Sequence, residues 1–86
     1  MSFTVIWKPE AEDGLASIWM KALDRKAITA AAHKIDQTLR LEPETCGESR
    51  PNGRRILIVV PLGVVYKVEP LDRMVNVLKV WEIETH

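Results

Sequence analysis

The feature that most constrains this chain is a β-rich apolar stretch over residues 56–83, cut twice by the turn-forming tripeptides Pro61-Leu62-Gly63 and Pro70-Leu71-Asp72. Runs rich in Val and Ile, separated by breaks this short, read as strands joined by hairpins. Residues 56–60, 64–68 and 74–83 therefore predict an antiparallel meander. Side chains alternate along a strand, so Ile56, Ile58 and Val60 point one way and Leu57 and Val59 the other. In the next strand Val64, Tyr66 and Val68 oppose Val65, Lys67 and Glu69. In the last, Val75, Val77, Lys79, Trp81 and Ile83 oppose Met74, Asn76, Leu78, Val80 and Glu82. Both surfaces of the predicted sheet carry apolar residues.

The N-terminal half has a different period. Phe3, Val5 and Trp7 alternate with Ser2, Thr4 and Ile6, which predicts a strand over residues 2–7. Pro9 suits the first turn of a helix, and Glu10, Glu12 and Asp13 place negative charge at its positive end. Ala11, Leu15, Ile18, Trp19 and Ala22 then mark one buried face. Gly14 weakens that helix by about 1 kcal/mol relative to Ala. Asp24 is placed to cap a second helix, whose buried stripe is Ile28, Ala31, Ile35, Thr38 and Leu39. The short connector at Leu23 makes the pair an antiparallel hairpin, and Ala30-Ala31-Ala32 permits close backbone approach. The segment PETCGESRPNG, residues 43–53, is a loop. The predicted order is β-α-α-β-β-β, an α+β fold with the helical hairpin packed on one face of a twisted, mainly antiparallel sheet.

Composition narrows the function classes. The 86 residues accommodate a single domain, residues 1–86. Twelve Lys and Arg balance twelve Asp and Glu, and neither half of the chain is a charged tail, so no overall charge draws it to nucleic acid or anionic lipid. Cys46 is the one cysteine, which excludes an internal disulfide, and with His33 and His86 it cannot build a zinc framework. No stretch reaches the length of a membrane span, and residues 1–7 do not read as a signal peptide, so the expected location is the cytoplasm. The chain is 47% hydrophobic. A domain this small buries only about 60% of its extended-state surface, so apolar surface is left for a partner unless sheet twist, the loops and the 43–53 segment cover the second face.

No residue pattern announces catalysis. Phosphate-binding glycine loops, metal-ligand spacings and nucleophile elbows are absent from the sequence. His33 reads as a surface or boundary residue of the second helix, and His86 is terminal. Helix-start electrostatics accounts for Glu10, Glu12 and Asp13, and nothing marks the Cys46 thiol as activated. No cofactor is expected. The basic group Arg50, Arg54 and Arg55, continued by Lys67, Arg73 and Lys79, suits an RNA backbone or an acidic partner helix. It equally suits a solvated strand end paired with Glu48, Glu69 and Asp72.

The opening strand with its Pro9-led helix, the segment ILIVVPLGVVYKVEPLDRMVNVLKVWEI and the preceding GESRPNGRRI together resemble the RelE/ParE superfamily of type II toxin–antitoxin toxins over residues 2–83. The resemblance implies a cytoplasmic toxin of the kind tied to plasmid stabilisation, neutralised by a cognate antitoxin lying along it. RelE-like members are ribosome-dependent mRNA endonucleases, and ParE-like members act on DNA gyrase, so the fold leaves the target open. RelE-like nucleases use strand-borne Lys and Arg with a late Tyr. Here the strand that commonly begins Gly-x-Tyr-Arg reads Gly63-Val64-Val65-Tyr66, so its Arg is missing, and Trp81-Glu82-Ile83-Glu84 replaces a late basic stretch. The catalytic candidates that this resemblance leaves are Arg54, Arg55, Tyr66 and Lys67. The binding candidates are Arg50, Arg54, Arg55, Leu57, Val59, Lys67 and Trp81. A metal-free nuclease must offset phosphate charge, which this neutral chain does poorly. The expectation is action by binding. The alternatives are an mRNA endoribonuclease and a degenerate, non-toxic member, and pairing with a second copy stays open.

Overall fold

The computed structural model describes residues 2–83. Its elements are β1 (Thr4–Trp7), α1 (Pro9–Lys21), α2 (Arg25–Leu41), β2 (Glu48–Ser49), β3 (Arg54–Val59), β4 (Leu62–Glu69) and β5 (Met74–Glu82). They form one five-stranded sheet in the order β1-β5-β4-β3-β2. β1 runs parallel to β5, and the other neighbours are antiparallel. The expected β-α-α-β-β-β order holds, with one addition. Within the 43–53 loop, Glu48 and Ser49 pair with Ile56 and Arg55 as a two-residue edge strand that no hydrophobic alternation signals. No described helix is long and apolar enough to cross a membrane.

Local chemistry sets the helices. Pro9 opens α1 with Glu10 and Glu12 in its first turn. The Asp24 carboxylate caps α2, accepting from the Ala27 amide at 3.1 Å. Arg25 ties the two helices together: it donates to the Trp19 and Met20 carbonyls at 3.1 Å each and stacks 4.4 Å from the centre of the Trp19 ring. Ile28, Ala31, Ile35 and Leu39 form the buried stripe of α2. Thr38 departs from expectation, since its hydroxyl donates to the Lys34 carbonyl at 2.8 Å and the residue is only half-buried. Trp19 departs further. It is 41% exposed, while Leu15, Ile18 and Ala22 meet the core, because residues 18 and 19 cannot share one inward direction at 3.6 residues per turn.

A bulge decides which residues face the helices. Tyr66 pairs with Val77 and Val65 with Lys79, leaving Leu78 unpaired. The extra residue reverses the side-chain phase of β5, so Val75, Val77 and Val80 pack toward the core while Lys79 and Trp81 turn away. The expected grouping of Val75, Val77, Lys79 and Trp81 on one face is corrected accordingly. On the helix side, Leu62, Val64 and Tyr66 of β4 are fully buried. No described helix packs against the opposite face.

A candidate interaction surface

The uncovered face is built rung by rung from strand pairing. Ile58, Gly63 and Trp81 form one rung, Ile56, Val65 and Lys79 the next, and Arg54, Lys67 and Asn76 a third. Gly63 is required in the first. A Cβ there would lie 2.6 Å from Cε2 of Trp81, so the glycine lets the indole lie against the sheet beside Ile58. Ile58 is 48% exposed and Val60 61%. The middle of this face is aliphatic and aromatic, flanked by Arg54, Lys67 and Lys79.

The sequence candidates separate across the two faces. Arg54, Lys67 and Trp81 share the open one. Arg54 and Lys67 are direct cross-strand neighbours. Lys67 lies 3.9 Å from a Glu69 oxygen, and no carboxylate among the described residues pairs with Arg54. Arg50 pairs with Glu48 at 2.8 Å near the β2 edge. Arg73, grouped with these cations by sequence, instead stacks 4.2 Å from the centre of the Phe3 ring. Leu57 and Val59 lie on the helix side, half-buried against the core. The apolar β3 residues available to a partner on the uncovered face are therefore Ile56 and Ile58.

Tyr66 and Arg55 form a structural network on the helix side. The Tyr66 hydroxyl donates toward the Pro43 and Cys46 carbonyls at 2.9 and 3.0 Å and lies 3.2 Å from the Cys46 sulfur. Arg55 donates to the Cys46 carbonyl from Nε at 3.2 Å and from its terminal nitrogen at 2.9 Å. The two side chains thus tie the 43–47 turn to β3 and β4. Tyr66 is completely buried. Burial pushes its hydroxyl well above the ordinary tyrosine range, the Cys46 hydrogen bond adds to this, and Arg55 opposes it. Of the catalytic candidates, Tyr66 is the one whose oxygen is enclosed by the chain in a setting that favours its neutral form.

The buried Tyr66 phenol makes stability depend on pH. The folded state favours the neutral phenol, so this contribution to stability is complete below the unfolded value of about 10 and is lost as pH rises above it. Chemical denaturation between neutral pH and pH ~11 should show stability falling at the alkaline end, a fall reduced in Tyr66→Phe. An unchanged alkaline slope in that variant would contradict the assignment.

A second apolar surface was not foreseen. Trp7, Leu15, Trp19, Met20, Ile28 and Ala32 line a groove of about 850 Å³ along the helical hairpin, with Glu12, His33 and Asp36 at its margin. The signal was present in the sequence: Trp19 and Met20 cannot both join a stripe already filled by Leu15 and Ile18. Trp19 is held there by its indole N–H, which donates to the Thr29 hydroxyl at 3.2 Å. His86 lies outside the described residues.

No protein-family model matches the sequence, and no curated protein is similar to it in sequence. Solved structures are similar in fold. The RelBE2 toxin–antitoxin complex from Mycobacterium tuberculosis matches with a TM-score of 0.77 at 19% identity, covering 95% of this chain and 99% of the other. The chromosomal ParDE toxin–antitoxin system from P. aeruginosa matches with a TM-score of 0.76 at 17% identity, covering 95% and 97%. The isolated E. coli RelE toxin matches with a TM-score of 0.63 at 16% identity, covering 98% and 87%. The chain therefore has the RelE/ParE-like α+β fold, two helices on a five-stranded mixed sheet.

Proposed function

We propose that this chain is the toxin component of a type II toxin–antitoxin module, neutralised by a cognate antitoxin and acting in the cytoplasm by binding its target. The fold is shared with structures described as toxin–antitoxin complexes. The observation that carries the binding mechanism is the chemistry of the open face. Its centre is Ile56, Ile58, Val65 and Trp81, and its nearest polar groups are Arg54, Lys67, Lys79 and Asn76. Cleavage of a phosphodiester at useful rates needs a general base and acid within reach of the reacting oxygens. Lys and Arg can hold a phosphate and stabilise its charge, but Tyr66 is sealed inside and Arg55 is occupied by the 43–47 turn. The open face therefore suits binding better than RNA cleavage.

Induced expression of the chain alone should arrest growth, and co-expression with the product of the neighbouring gene should restore it and yield a co-purifying complex. Transcript ends should be unchanged during the arrest. Altered plasmid supercoiling would identify gyrase as the target, whereas cuts within ribosome-bound messages would overturn the binding mechanism. Unimpaired growth would point to a non-toxic member.

A further inference from the structure

Four cations gather where the open face meets the start of α1. Lys8, Arg54 and Lys79 line one depression of about 660 Å³ together with Pro9, Glu10 and Leu78. Lys67 stands directly across the strand pair from Arg54. Like charges in direct cross-strand register destabilise a sheet, and only Lys67 has a carboxylate within 4.0 Å among the described residues. In the same rung, Oδ1 of Asn76 is buried without a hydrogen-bond donor. Immediately beside these groups lies the apolar surface of Ile56, Ile58 and Trp81.

We infer that this face takes an acidic, aliphatic segment of the antitoxin, with carboxylates on the cations and apolar side chains on Ile56, Ile58 and Trp81. The inference rests on the toxin–antitoxin reading and adds the chemistry and position of the contact. Two observations favour a peptide over nucleic acid. Glu10 and Glu69 border the cations, so the local positive excess is small for binding driven by counterion release. The floor is mainly aliphatic, with Trp81 as its one aromatic ring among the described residues, whereas single strands bind on successive stacking platforms.

The test uses the purified complex with the neighbouring gene product. The triple variant Arg54→Glu/Lys67→Glu/Lys79→Glu should weaken the complex by about tenfold or more and flatten its salt dependence. The control Lys26→Glu/Lys34→Glu, on the exposed side of α2, should not. Circular dichroism melts establish that each variant is folded. A labelled amphipathic Glu/Leu peptide of roughly 20 residues, long enough to be helical, should bind the free chain and lose binding in the triple variant, while a Lys/Leu peptide and a single-stranded RNA should not bind. An unweakened complex in the folded triple variant overturns the placement and leaves the toxin–antitoxin reading intact. RNA binding lost in that variant, or self-association lost in it, overturns the inference by naming another occupant. Absence of any complex refutes the toxin–antitoxin reading, and failure of the acidic peptide to bind then removes the surface chemistry as well.

Discussion

Gly47→Ala is expected to be among the most damaging single substitutions outside the core. Gly47 has φ of +67°, and a Cβ added there would overlap the Ile56 carbonyl oxygen and lie 3.3 Å from the Leu57 Cα. Both neighbours are backbone atoms of β3, so no flexible side chain can move aside. Left-handed strain and backbone overpacking each cost about 1–3 kcal/mol, giving a combined loss of about 3 kcal/mol. For a domain of this size that corresponds to a melting point lower by roughly 12–24 °C. The same substitution at Gly53, φ +72°, has nothing within 4 Å of its Cβ and should cost about 1 kcal/mol. Melting curves of the two variants check the contrast, and equal effects would show that the 43–47 turn is not pressed against β3.

Leu39→Ala should have an effect of similar size for a different reason. Leu39 is completely buried in the last turns of α2, while Leu41, two residues on, is 69% exposed. Truncating a buried leucine costs about 2–5 kcal/mol, because surrounding atoms fill the cavity only partly. Leu41→Ala removes little packed surface and should change stability by within about 0.5 kcal/mol. Urea denaturation distinguishes the pair. A large loss in Leu41→Ala would mean that α2 is rotated about its axis relative to the described stripe.

The elements legible in the sequence were those fixed by local rules. Pro9 and Asp24 start the helices where expected, and the two proline-led turns divide the meander. The elements that were not legible depend on pairing across the sheet. Glu48 and Ser49 are a strand only because Arg55 and Ile56 present a free edge to them. The bulge at Leu78 has no glycine or polar residue to mark it, yet it exchanges the faces of every later residue in β5. Strict alternation therefore placed Val80 and Trp81 on the wrong sides.

The site was legible to the same extent. Arg54, Lys67 and Trp81, binding candidates by sequence, share the open face, the surface proposed above for a partner. Tyr66 and Arg55 carried the right chemical groups for phosphate chemistry, but the direction of their side chains is set by strand register, which sends them toward the Cys46 carbonyl. Leu57 and Val59 were expected in a partner contact and lie on the helix side by that same register, while Ile56 and Ile58 face outward. The groove along the helical hairpin follows from Trp19 turning outward, a consequence of helix geometry that an overfull apolar stripe already implied.

The most direct measurement of the central claim is methyl NMR of the chain, free and in complex with the neighbouring gene product. The account predicts that the methyl signals of Ile56, Ile58 and Val65 shift on complex formation. Shifts confined to Leu15, Ile18 and Ile28 would place the partner on the helical hairpin and contradict it.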